Sequence, residues 1–291
     1  QVTAIGPQFA YPILVTTPLP REHGAWGILL QPFFVATLLA GAWHWQLIPA
    51  LLAVLLTSPA MAADDNEWHH TAAIYMIGAS IDGTAGVGPV NADVDISFGD
   101  ILDNLEFGAM AAYRGENGRW AVVADLIYMD LEQDDNGVGP LGRTDVTVGL
   151  EQTIMELDGS YAVTEQLDAY AGLRYWDVDS TVTVVGGGPL GETLDGKAGE
   201  DWIDPLVGVR YSWPLGDKWT LVWRGDIGGF GVGSDFSWHT TAYASWQVAE
   251  HGNLLIGYRH LDVDYEDGSG ASRFKMDVSE GGPTVGFAWG F

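Results

Sequence analysis

The sequence predicts an all-β protein: an up-and-down antiparallel transmembrane β-barrel of about ten strands, with eight or twelve as alternatives, preceded by an apolar leader. Three observations predict it. Stretches of roughly 10–15 residues alternate with period two after residue 63. The connections between them are short and long in turn. The last strand alternates apolar residues and terminates on Phe291.

The leader comes first. Residues 1–62 hold two apolar runs, Ala25 to Trp43, broken by Gln31 and Pro32, and Leu47 to Leu56. Behind the second run stand Thr57, Ser58, Pro59 and then Ala60-Met61-Ala62. A short apolar core followed by a small-x-small triplet ends a signal peptide, with cleavage expected after Ala62. The core is too short to span a bilayer alone. Trp43-His44-Trp45-Gln46 supplies no Lys or Arg ahead of it, and the basic residue upstream is Arg21. An over-extended start, a long leader and a retained helix pair all fit this front end; a leader removed from the mature protein is the expectation. Pro20-Arg21-Glu22-His23-Gly24-Ala25-Trp26 resembles the opening of YwiC-like integral membrane proteins, over residues 20–55.

Residues 63–291 carry the barrel. Ten strands are expected, roughly 68–81, 105–115, 119–132, 144–161, 167–184, 202–214, 218–231, 236–249, 253–266 and 273–291. Phe107, Ala109, Ala111 and Tyr113 oppose Glu106 and Arg114. Val207, Val209, Tyr211 and Trp213 oppose Arg210 and Ser212; Leu221, Trp223 and Ile227 oppose Arg224 and Asp226. The clearest strand sets Phe236, Trp238, Thr240, Ala242, Ala244, Trp246 and Val248 on one face. Ser237, His239, Thr241, Tyr243, Ser245 and Gln247 lie on the other. That is a lipid-facing side with aromatic ends and a lumen-facing polar side. Leu254, Ile256 and Tyr258 oppose Gly257 and Arg259. Arg174, Arg210, Arg224, Asp226 and Arg259 are mid-strand charges on polar faces. In a barrel they would pair with Asp125, Glu106 and Glu151 as a lumen charge ladder; in a soluble sandwich they would face water.

The loops separate those two. Glu116-Asn117-Gly118, Val163 to Gln166, Leu215-Gly216-Asp217 and Glu250-His251-Gly252 are short. The others, 82–104, 133–143, 185–201 and 267–272, are longer, apart from a tight turn near Gly231–Asp235. This sorting puts both termini on the short-turn, periplasmic side of a Gram-negative outer membrane. Within 82–104, Val94, Ile96 and Phe98 alternate, and Ile101 to Leu105 reads as a helical turn capped by Asp100. The segment is expected to fold back and partly close the mouth.

Val285, Phe287, Trp289 and Phe291 share one face of the final strand, with Gly286, Ala288 and Gly290 between them. This pattern resembles the C-terminal signal read by the barrel-assembly machinery, which implies that machinery and periplasmic chaperones as partners. The terminal strand, Asp100 to Leu105, Ala171 to Trp176 and Arg224 to Phe236 together resemble small outer-membrane barrels of the broad OmpW-like type. The ten-strand count departs from the eight strands of the better-known members.

Chemistry is sparse. The net charge of −27, from 12 basic and 39 acidic residues, excludes nucleic acid as a partner, because phosphate binding needs clustered cations. With no Cys, there is no disulfide framework or thiolate nucleophile. Gly228 to Gly233 is glycine-rich but leads into a strand, so it reads as a hairpin and not a phosphate loop. Asp262, Asp264 and Asp267 mark a rim where oxygen ligands could hold Ca²⁺ or meet the divalent cations of lipopolysaccharide. No cofactor and no resident metal are expected. His260 with Asp262 and Asp264 is the one arrangement suited to a rim hydrolase, and it lacks a Ser partner. The expected role is a structural or narrow-channel protein for small solutes, not an enzyme, in contact with outer-membrane lipid and lipopolysaccharide. A rim hydrolase and a soluble periplasmic ligand-binding protein are the alternatives.

Overall fold

The computed structural model describes residues 67–138, 144–185 and 193–291. The leader 1–62 and its cleavage site lie outside them. Twelve strands form one antiparallel sheet: β1 (His69–Ile77), β2 (Ser80–Val87), β3 (Val90–Ile96), β4 (Leu105–Asn117), β5 (Trp120–Val138), β6 (Thr144–Ala162), β7 (Leu167–Val185), β8 (Thr193–Pro214), β9 (Trp219–Gly228), β10 (Phe236–Gln247), β11 (Gly252–Asp267) and β12 (Phe274–Gly290). A short helix, α1 (Phe98–Asn104), precedes β4. β1 pairs with both β4 and β12, so the sheet closes on itself and leaves no edge at that level. The closed ring has ten strands, because β2 and β3 stack above β1 along β12 instead of widening the ring.

The strand expected at 68–81 is broken at Gly78–Ala79 and resumes as β2. The break falls where β12 carries Gly281-Gly282-Pro283, and a Cβ on Gly282 would lie 2.1 Å from the Gly78 carbonyl oxygen. Only glycine permits that approach. The segment expected to fold back into the mouth instead forms β3, paired along its length to β2 as wall. Only α1 turns toward the interior, burying Ile101. The helix cap is Ser97, not Asp100: Asp100 is the reciprocal third residue of a capping box. Hydrogen bonds from Ser97 hold the Asp100 carboxyl below its ordinary range.

The turns at one end are short. Gly118 (φ 59°) opens the two-residue β4–β5 turn, a conformation that β-hairpins assign to glycine. Toward the other end the strands run past the expected loops. β5 continues to Val138 and β8 begins at Thr193. β8, with 22 residues, is about 70 Å long at roughly 3.3 Å per residue. β9 and β10 stop lower, at the turn 229–235. Above Leu206, β8 therefore has no partner on that edge among the described residues. Pro205 stands where pairing stops; it has no N–H to strand, and its carbonyl accepts from Gly229 N (3.1 Å).

The two faces exchange character along the barrel axis. Near the short turns the outer face is apolar, with Ile74, Val122, Val207, Leu221, Ile256 and Val285 exposed. Aromatic rings bound this band. At the short-turn edge Trp219 stacks on Trp246 (5.4 Å) and Trp120 meets Tyr161 edge-on (4.8 Å). At the upper edge Phe107 meets Tyr128 (5.8 Å) and Trp238 meets His260 (4.7 Å). From Trp120 to Tyr128, and from Trp246 to Trp238, the rows lie eight residues apart. That is about 27 Å along a strand, or about 20 Å of height at the usual tilt. Above the upper row the outer face becomes acidic: Asp82, Asp95, Glu132, Asp201 and Asp277 are exposed there. The interior does the opposite. Charged groups fill it beside the apolar band, and an apolar core of Ile127, Met129, Trp176, Trp202, Val263 and Val278 fills it beside the acidic wall.

Candidate functional site: the filled lumen

Period-two strands around a closed ring send every second side chain inward. On β6 the inward set is Gln152, Ile154, Glu156, Asp158 and Ser160, all buried. Register then sets Glu156 opposite Arg174 on β7, and Asp226 on β9 opposite His239 on β10. Wall geometry alone thus brings acids and bases together in a dry space.

Arg174 is the hub. Its Nη2 donates to Glu156 (2.6 Å) and to Asp226 (2.7 Å), and its side chain is fully buried. Arg224 donates to Glu156, to Asp158 (2.8 Å) and to the Tyr170 hydroxyl (2.8 Å), with its guanidinium 4.4 Å from the Tyr170 ring centre. The Tyr170 hydroxyl in turn donates to Asp226 (2.9 Å). His239 Nδ1 lies 2.9 Å from the same carboxylate. A second group ties Arg259 to Asp125 (3.1 Å) and to the Tyr75 hydroxyl (3.1 Å), which donates to Asp125 (2.8 Å). Nearest the short turns, Asp168 accepts from Arg114 (3.0 Å) and Arg210 (3.4 Å). Buried charges are tolerable only when paired and hydrogen-bonded in this way.

Above this layer the contacts turn aromatic. Trp176 stacks on Trp202 (5.5 Å), and Trp202 on Tyr265 (3.9 Å). Fully buried Asp204 accepts from Trp176 Nε1 (3.1 Å), the Ser234 amide (2.7 Å) and the Ser234 hydroxyl (2.7 Å). The β9–β10 turn is thereby drawn against the barrel wall. Its glycines serve this close approach and a left-handed backbone, with Gly229 at φ 84° and Gly231 at φ 70°.

Of the eight ladder residues expected, Asp125, Arg174, Arg210, Arg224, Asp226 and Arg259 point inward and meet the partners above. Glu106 and Glu151 do not, and their placement is a correction. Glu106 falls at a β-bulge between Leu105 and Phe107, where the parity of the strand breaks, and is exposed. Glu151 has the odd parity of β6, so it lies outside and accepts from the Tyr128 hydroxyl (3.0 Å). The acids that complete the network, Glu156, Asp158 and Asp168, were not singled out in the sequence, nor was Tyr170; His239 was legible only as a member of the lumen-facing side of its strand. Their signal was a pairing signal, because Glu156 and Asp168 stand directly across from Arg174 and Arg210.

The rim acids Asp262 and Asp264 lie on the outer face of β11, opposite Ser279 and Asp277 of β12. Asp267 ends the strand, exposed. Among the described residues no group of three or more His, Asp or Glu is arranged to hold a metal ion. The neighbouring Glu266 is clasped by both arms of Arg273 (2.7 and 3.0 Å), which holds its carboxyl below the ordinary range. His260 leans on Trp238, and the Ser279 hydroxyl donates to Asp262, so Ser, His and acid do not form a relay. On the last strand Val285, Phe287, Trp289 and Phe291 face outward. The Phe291 amide and carbonyl pair with His70 (2.9 and 3.1 Å), and its ring stacks on the His70 ring (5.5 Å).

No protein-family model and no curated protein matches the chain. Among solved structures it is similar to the outer membrane protease OmpT from Escherichia coli, with 10% identity over 80% of this chain and 100% of that one, at a TM-score of 0.46. The toluene transporter TbuX of Ralstonia pickettii matches at 11% identity over 82% and 92%, with a TM-score of 0.37. Ail, the attachment invasion locus protein of Yersinia pestis, matches at 9% identity over 78% and 100%, with a TM-score of 0.34.

Proposed function

We propose that the protein resides in a Gram-negative outer membrane, both termini periplasmic, as a barrel of structural role whose lumen admits at most a narrow passage for small solutes. The observation that carries this is the exchange of faces. An apolar outer band between two aromatic rows, wrapped around an ionic interior, is stable only where lipid meets the band. The same strands, continued with an acidic outside and an apolar inside, suit water. The acidic wall then projects beyond the membrane, toward lipopolysaccharide.

The filled interior supports a closed resting state. A small solute would have to displace the Trp176–Trp202–Tyr265 stack, which a wide general porin would not contain. The OmpW-like resemblance belongs to this reading, as do the assembly machinery and chaperones as partners in insertion. The hydrolase reading gains nothing from His260, which lies against Trp238.

Two measurements test the proposal. The folded protein is expected to need detergent and to run faster on gels unheated than boiled. In planar bilayers it is expected to show no large steady conductance. Free solubility without detergent, or porin-sized open channels, would overturn the reading.

A further inference from the structure

The short-turn mouth of the lumen holds a polar cavity of about 330 Å³, whose lining includes Arg114, Arg210, Ser212, Asp168, Thr164 and Gln166. Arg210 and Ser212 alternate on β8 and face inward together. Among the described residues Arg210 keeps a single ion pair, the 3.4 Å one to Asp168, and Asp168 is already shared with Arg114. Register also sets Arg210 directly opposite Arg224, and like charges in that position repel. Two further donors have no partner among the described residues: Arg114 Nη1 and Ser212 Oγ are buried and unbonded at the same place. Buried donors normally find an acceptor.

Several acceptors nearby already take other donors. Glu116 Oε2 takes Arg114 Nε (2.9 Å). Gln166 Oε1 takes the Tyr211 hydroxyl (2.9 Å), and Thr164 Oγ1 takes the amides of Gln166 (3.2 Å) and Leu167 (3.0 Å). Arg119 is spent on the carbonyls of Ala162 and Val163 (3.0 Å each). Glu165 lies exposed on the turn. The atoms left buried and unbonded are donors, Arg114 Nη1 and Ser212 Oγ, and they stand with the long-paired Arg210 around space large enough for a small molecule.

We infer that this mouth binds a small carboxylate between Arg210, Arg114 and Ser212. A carboxylate is planar, accepts from two forks at once and brings one negative charge. A phosphate would bring a second charge against Asp168 and Glu116. The site opens at the short-turn end, so its ligand arrives from the side opposite the acidic wall.

The test is calorimetric titration of the folded protein in detergent with acetate, propionate or inorganic phosphate, at ionic strength held constant with chloride. Saturable binding of acetate or propionate is expected, with phosphate several-fold weaker. Arg210→Gln is expected to weaken carboxylate binding about tenfold, the loss of one charge-assisted hydrogen bond. Arg273→Gln, at the opposite rim, is expected to leave it unchanged. Absence of saturable binding overturns the inference, as does equal or tighter phosphate binding, or an Arg210→Gln protein that binds as before. Should Arg210→Gln not fold, Ser212→Ala decides: a few-fold loss supports the site, and unchanged affinity removes it.

Discussion

Arg174 shows what the interior demands of single residues. It neutralises Glu156 and Asp226 in a space closed to water. Arg174→Met is expected to destabilise the barrel by about 3–5 kcal/mol, because it leaves paired acids short of charge. Glu151→Gln, on the outer wall, is expected to change stability by less than about 1 kcal/mol. Denaturant unfolding of the two variants checks both, and a costly Glu151→Gln would return that residue to the lumen. Phe230 offers a second case. It is the one non-glycine with positive φ among the described residues, at 54°, and its side chain is exposed. Phe230→Gly should therefore be neutral or stabilising by up to about 1 kcal/mol, where glycine normally weakens a chain. A loss of stability in the same unfolding experiment would mean that the ring has a contact to keep.

Among the elements, β10 was the most legible. Its period of two places Ser237 and His239 inward and Trp246 outward. The long strands were less legible at their upper ends, because Asp134 fell in the expected loop 133–143 when it lies on the solvated face of β5. Polar residues end a strand in lipid but not in water, and the sequence pattern does not announce which medium the strand has entered. Glu106 and Glu151 were misplaced for local reasons, a bulge in one case and strand parity in the other. The helix α1 was read one cap too late, since Ser97 and Asp100 both carry capping oxygens and only the reciprocal pair shows which begins the helix. Ser97→Ala is expected to speed amide exchange over residues 98–104 and leave the ring strands unaffected. Unchanged exchange in α1 would show that Ile101 packing alone holds it. On β12, Phe291 makes the final backbone pair with His70 and thus closes the ring beside the short turns. Phe291→Ala is expected to lower the fraction of heat-modifiable protein recovered from refolding, with no effect if Phe291 is merely the end of an apolar strand.

At the scale of the whole molecule, one continuous wall is used twice. Beside the apolar band its inside is ionic, and beside the acidic wall its inside is apolar. The alternation of several strands was visible in the sequence, and so was the sorting of the turns; β2 and β3 were expected as loop. The height at which the two faces change roles was not, because it depends on which residues of different strands share a level. Register supplies that: Tyr128 pairs with Ala109 and Thr153, and Trp238 with Asp262, tying the upper aromatic row together around the ring. The candidate site followed the same rule. Its bases, with Asp125 and Asp226, were legible as lone mid-strand charges, and Glu156, Asp158 and Asp168 emerged once strands were set side by side.

The absence of cysteine allows the central claim to be tested along one strand. Single cysteines at positions 122, 123, 126, 127, 132 and 134 of β5 would carry a polarity-sensitive fluorophore, with quenchers attached to lipid tails or dissolved in water. Strong lipid quenching is expected at 122 and 126 and little at 123 and 127. Positions 132 and 134 should be quenched from water. Lipid quenching that continues to 134, or that fails at 122 and 126, would contradict a membrane band bounded by the two aromatic rows.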